Sequence, residues 1–156
     1  MLVFDLKNAG SGEWFPFFGS EIKPDGDVVY FDPEPNTGKM QLRVADSDVM
    51  DKIQKETRTK KVEHVPNPKS RGMERIEYFD QTPEQAKLER ELIWDHAIEN
   101  WEDKAPFLNA DGSPIERTIE NKLKLMAIPV CARFVGRSLQ LIQGAAKDIK
   151  EAAVKN

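Results

Sequence analysis

The tetrapeptide Thr82-Pro83-Glu84-Gln85 constrains the fold more than any other stretch of this chain. Thr82 is placed to cap a helix, Pro83 brings a preset φ to the first helical position, and Gln85 stands where its amide reaches back to the cap. A helix must begin here. Ile93, Trp94, Ala97, Ile98 and Trp101 then recur on one helical face, which predicts a helix from residue 82 to about Trp101. That face reads first as a packing surface, with partner binding as the lesser reading.

What precedes the cap has a different grammar. Residues 1–45 read as strand and turn. Trp14, Phe15, Phe17 and Phe18 crowd GEWFPFFGS, and aromatics favour strands. Pro16 removes a ladder donor, so this strand is expected at an edge or broken there. PDGD (24–27) is a turn before the β-rich VVYF (28–31). DPEPNTG (32–38) is a second turn, and KMQLRV (39–44) alternates polar and apolar as a half-buried strand does. The expectation is a small antiparallel sheet of two or three strands.

Asp46 or Ser47 can cap a short helix with Val49, Met50 and Ile53 on its apolar side. A basic stretch follows. Over residues 52–75 eight basic side chains (Lys52, Lys55, Arg58, Lys60, Lys61, Lys69, Arg71, Arg75) face three acidic ones (Glu56, Glu63, Glu74), a surplus of five. Pro66, Pro68 and Gly72 interrupt it, so residues 54–75 are expected as a basic loop, open between 60 and 73. No aromatics are interleaved for base stacking, so a solvated loop is preferred over a nucleic-acid patch.

After the first long helix, Pro106, Asp111–Gly112 and Pro114 reverse the chain. Thr118 is expected to cap a helix with Glu120 in its first turn. Leu123, Met126 and Ala127 are expected on its buried face, with Lys122 and Lys124 away from it. Pro129 separates it from a last helix whose apolar stripe is Phe134, Val135, Leu139 and Ile142; Gly144 weakens that helix, and IKEAAVKN is expected to fray. The fold class expected is α+β, with the small sheet followed by a helical part (82–150) of three or four helices. At 156 residues one domain is expected.

The residue inventory offers little chemistry. GxGxxG, GxxxxGK[ST] and GxSxG are missing. His64 has no ligand-spaced neighbour. His96 and Glu99 share a helical spacing used in di-metal bundles, but no second such motif exists. Cys131 is the one cysteine and has no nearby histidine to activate it. No catalytic, cofactor-binding or metal-ligating residue is assigned, and no cofactor is expected. The net charge of −4 and pI near 5.3 weigh against bulk nucleic-acid binding. The N-terminal MLVFDLKNAG lacks a basic leader pattern, and no apolar run reaches membrane-spanning length, so a cytoplasmic protein is expected.

The order of segments in the C-terminal half carries more. AIENWEDKAPFLNADGSPIERT gives Ala-Ile-x-x-Trp, a short loop, Asp-Gly-x-Pro-Ile and a capping Thr; ENKLKLM and Ala132-Arg133-Phe134-Val135 follow. This order resembles the tail assembly chaperones of long-tailed bacteriophages and prophages, most clearly over residues 92–136. GEWFPFF and its following hairpin resemble the start of such proteins. The resemblance implies a non-enzymatic protein of the bacterial host cytoplasm, absent from the mature virion. It would bind the tail tape measure protein and, as a further partner, tail tube subunits. The alternatives are a structural phage protein (minor tail or head–tail joining component) and a small nucleic-acid-binding or regulatory protein. Trp94, Trp101 and Phe134 are the expected partner-binding residues, set against the reading that they are core; a homo-oligomer is left open.

Overall fold

The structure, a computed structural model, describes the backbone of residues 11–155 and the side chains of residues 11–144. The reading of MLVFDLKNAG lies outside the described residues, as do the side chains of IKEAAVKN. The chain is α+β and divides into two compact units, one of residues 1–44 and 94–156 and one of residues 45–93.

The first unit is built on a three-stranded antiparallel sheet. Its strands are β1 (Glu13–Pro16), β4 (Lys39–Leu42) and β7 (Ile98–Trp101), in the order β1-β4-β7. Between the first two lies a small hairpin of β2 (Ser20–Ile22) and β3 (Val28–Tyr30), turned at Gly26, whose φ of +94° needs a residue without Cβ. Pro16 ends the edge strand β1, where no further ladder donor is needed. β4 is central, and its Met40 and Leu42 are fully buried.

β7 corrects the reading of the long helix. α2 (Pro83–Ala97) begins on the expected capping box: Gln85 N donates to Thr82 Oγ1 and Thr82 N donates to Gln85 Oε1. It stops at Ala97, not Trp101. The next four residues pair with β4 as Met40↔Trp101, Gln41↔Asn100 and Leu42↔Ile98, leaving Glu99 as a bulge. The bulge explains the error. In a regular strand residues 98 and 101 would face opposite ways, but one extra residue restores them to the same face. Ile98 and Trp101 are therefore both buried, a spacing that imitates a helix. The bulged Glu99 turns its carboxylate to accept from Gly12 N and to lie 3.8 Å from Arg43.

The other caps hold. Thr118 Oγ1 accepts from Asn121 N at the start of α3 (Ile119–Met126). Asp111–Gly112 makes the reversal, with Gly112 at φ +85° and the Asp111 carboxylate accepting from Ser113. α4 (Pro129–Lys155) starts at its proline and runs without interruption past Gly144 to Lys155, within the segment expected to fray. Two side-chain expectations on α3 fail, the first being Ala127, which is exposed. Lys122 is buried on α3 beside Leu125, because its ammonium finds both Asp95 Oδ1 and the Asp95 carbonyl at 3.0 Å.

The core of this unit joins Met40, Leu42, Ile98, Trp101 and Phe107 to Leu125, Cys131, Phe134 and Val135. Phe134 is its aromatic centre, with ring centroids of Phe18 at 4.9 Å, Phe17 at 5.1 Å and Phe107 at 6.3 Å. Arg117 closes one side: it stacks over the Trp101 ring at 4.8 Å, donates to the Trp101 carbonyl and pairs with Asp103 at 2.6 Å.

The second unit holds α1 (Ser47–Thr57), capped by Asp46, and a two-stranded hairpin of β5 (Thr59–Asn67) and β6 (Gly72–Asp80). The expected basic loop (54–75) is therefore the last turn of α1 followed by most of two paired nine-residue strands, and between the strands only residues 68–71 turn. Asn67 starts that turn by accepting from Lys69 N, and Arg71 takes the left-handed conformation at φ +56°.

Candidate partner-binding surfaces

Two of the three residues expected to meet a partner do not reach the surface. Trp101 is 1% exposed and Phe134 is 0% exposed, and both belong to the core just described. Trp94 is half-buried near the end of α2. The structure thus brings Trp101 and Phe134 together as packing residues and leaves no shared outward face for the three. His96 sits on α2 and gives its carbonyl to Arg43 Nε at 2.8 Å; His64 is exposed on β5. Among the described residues no three His, Cys, Asp or Glu side chains converge as a metal would need.

The exposed apolar groups lie elsewhere. On the β5–β6 hairpin, cross-strand partners share a face. One face carries Lys60, Val62, His64 and Pro66 opposite Phe79, Glu77, Arg75 and Met73. Phe79 is 67% exposed, Met73 64% and Val62 40%, so this face presents three large apolar side chains to solvent. The other face carries Ile76 and Tyr78 beside Lys61, Glu63 and Asp80. A cavity of about 320 Å³ lies against Phe79, lined also by Asp51, Gln54, Lys55 and Arg58.

The charges on the hairpin are matched diagonally across it and along β6. Lys60 pairs with Glu77 at 3.1 Å, Lys61 with Asp80 at 2.7 Å, and Arg75 with Glu77 at 2.8 Å. The Lys61 hydrogen bond, and then the Gln81 N–H, hold the Asp80 carboxyl below its ordinary value, while the Asp80 carboxylate raises Lys61. Tyr78 donates to Glu63 at 2.9 Å, and that bond raises the phenol. The surplus of five positive charges belongs to a window that stops short of Glu77 and Asp80. Over the whole hairpin, 59–80, five basic residues (Lys60, Lys61, Lys69, Arg71, Arg75) meet four acidic ones (Glu63, Glu74, Glu77, Asp80), a surplus of one.

A second concavity, of about 460 Å³, lies between Phe17, Phe31, the Glu34–Thr37 turn and Pro106. Its walls carry Asp32 and Glu34 without a histidine, cysteine or lysine to act with them. Cys131 is buried, and burial pushes its thiol up to about 11, which disfavours the thiolate at neutral pH.

The hairpin face is hidden in the sequence by Pro66, Pro68 and Gly72, which read as breakers. The signal was present in the Tyr78–Phe79 aromatics and in β-branched Thr59, Val62, Val65 and Ile76. No single helix among the described residues is long and apolar enough to cross a membrane. No family model matches the chain, and no curated protein or solved structure matches it significantly.

Proposed function

We propose that the chain is a non-enzymatic tail assembly chaperone of a long-tailed bacteriophage or prophage, which binds the tail tape measure protein in the host cytoplasm and assists tail-tube assembly. The observation that carries this reading is the ordered run from Ala97 through Trp101, Asp111–Gly112 and Thr118 to Phe134, which resembles that family. An exposed apolar face supports this reading. A long helical client with apolar stripes needs a partner that offers exposed apolar side chains ringed by charge. The hairpin face of Val62, Met73 and Phe79, flanked by Lys60, Arg75 and Glu77, has that character. It replaces Trp101 and Phe134 as the expected contact.

Co-expression with the tape measure protein of the same phage tests the reading. The client is expected to stay in the soluble fraction and to co-purify with this chain. A client equally soluble alone, with no co-purification, refutes it. A second reading, a minor tail or head–tail joining component, is favoured by the hairpin's open strand edges, which suit assembly into a larger particle. A stoichiometric amount of the chain in purified virions selects that reading over the chaperone.

A further inference from the structure

The outer edge of β6 is unusual for a strand of its length. The hairpin is a two-stranded sheet that no third strand joins among the described residues, and all nine positions of β6 are exposed. Long open edges invite pairing, and proteins blunt them with charged side chains, above all lysine, or with proline. The β5 edge is blunted in this way by Lys60, Lys61 and Pro66. β6, with the sequence GMERIEYFD, has neither lysine nor proline, and its charged side chains are of both signs and so can match those of a second strand.

Pro66 also fixes which groups point outward. A proline inside a ladder occupies a position whose N–H would face away from the partner strand. Pro66 pairs with Met73, so Met73, Arg75, Glu77 and Phe79 on β6 turn their N–H and C=O groups to the open edge.

We propose that this edge pairs with the same edge of a second copy of the chain, antiparallel and centred on Ile76, forming a four-stranded sheet across a two-fold axis. In that register Arg75 faces the partner's Glu77, Met73 faces the partner's Phe79, and Ile76 meets the partner's Ile76. Each contact occurs twice except the last. Opposite charges and apolar pairs in directly opposed positions stabilise antiparallel strands. A register centred on Arg75 opposes two arginines, and one centred on Glu77 opposes two glutamates. Ile76 is thus the centre that satisfies both charge and apolar matching along the strand. The self-complementary order of Arg75 and Glu77 about Ile76 favours a second copy over an unrelated extended peptide.

Sedimentation equilibrium of the full chain tests the proposal. A concentration-dependent dimer is expected. Arg75→Glu alone, or Glu77→Arg alone, opposes like charges twice and weakens the dimer roughly thirty-fold. The double exchange, Arg75→Glu with Glu77→Arg, restores it, with circular dichroism confirming that each variant folds. Register is read separately by cysteine cross-linking. At Ile76 the two Cα atoms lie about 4.5 Å apart, so Ile76→Cys gives an intermolecular disulfide under mild oxidation. Arg75→Cys does not, because its Cα atoms lie beyond disulfide reach. A chain that stays monomeric to about 1 mM, or a dimer indifferent to both charge reversals, overturns the proposal. So does equal cross-linking at both positions, or an edge that binds only an added heterologous peptide.

Discussion

Phe134→Ala separates packing from partner contact. Phe134 is 0% exposed and sits among the rings of Phe17, Phe18 and Phe107. Truncating a buried phenylalanine in a site that collapses only partly costs about 3–5 kcal/mol. Three aromatic neighbours lose their partner, so the upper half of that range, about 4 kcal/mol, is expected. With a urea m-value of about 2 kcal/mol/M the midpoint falls by roughly 2 M. All three tryptophans, Trp14, Trp94 and Trp101, lie in the unit of residues 1–44 and 94–156, so tryptophan fluorescence follows the unfolding of the unit that holds Phe134. Such a loss is a large share of a domain stability of about 5–15 kcal/mol. Phe134→Leu, which keeps most of the volume, provides a milder point on the same scale at about 1–2 kcal/mol. A midpoint within about 0.3 M of the parent, combined with lost client binding, would refute the core assignment and return Phe134 to the partner surface.

Four further outcomes follow from the same structure. Gly38→Ala places a Cβ 2.6 Å from the Lys104 carbonyl oxygen and 3.1 Å from the Phe107 ring, so backbone must shift; a loss of about 1–3 kcal/mol in urea unfolding is expected. Lys122→Met removes the donor to both Asp95 acceptors; a loss of about 1–2 kcal/mol is expected, whereas Lys124→Met, whose pair with Glu120 is exposed, stays within about 0.5 kcal/mol. Cys131 is expected to resist a thiol reagent at pH 8 in the folded chain and to react fully in denaturant, as the burial that raises it to about 11 keeps it protonated. For Asp80 the folded pKa is depressed, so its contribution to folding is present above the ordinary aspartate value and is lost as pH falls through the folded one; an NMR titration should show the Asp80 carboxyl ionising below its value in a Lys61→Met variant.

Local chemistry made the helix starts legible. Thr82, Thr118, Asp46 and Pro129 each act on backbone groups within one turn, so their role is written in four adjacent residues. Three of the four strands in residues 13–42 were legible for a similar reason, since turn residues bracket them; β2 was not, and it draws β3 into a separate hairpin instead of the expected single sheet. What was not legible depended on pairing at a distance. Ile98–Trp101 becomes a strand because β4 lies beside it, and the Glu99 bulge makes its burial pattern look helical. Lys122 is buried because a residue 27 positions away supplies two acceptors. The hairpin of β5 and β6 read as a loop because its prolines sit at Pro66, on an outward-facing edge position, and at Pro68, within the turn; neither interrupts the ladder.

The corrected placement of these residues changes which part of the molecule a partner can use. Burial removes Trp101 and Phe134 from consideration, and their loss by mutation would act through stability rather than recognition. The hairpin offers two separate surfaces, an edge and a face. Strand pairing at the β6 edge consumes backbone groups in the plane of the sheet, while Val62, Met73 and Phe79 stand perpendicular to it. Pairing two copies at that edge therefore leaves the apolar face open and sets Met73 of each chain beside the partner's Phe79. A single hairpin is two strands, about 10 Å, wide, enough to contact one turn of a helix across its axis, whereas four strands approach 20 Å. A wider apolar platform suits a long amphipathic client better than either hairpin alone. If both proposals hold, the Arg75→Glu variant should weaken client capture together with dimerisation, and the double exchange should recover both. Recovery of the dimer without recovery of capture would place the client on another surface while leaving the edge pairing intact.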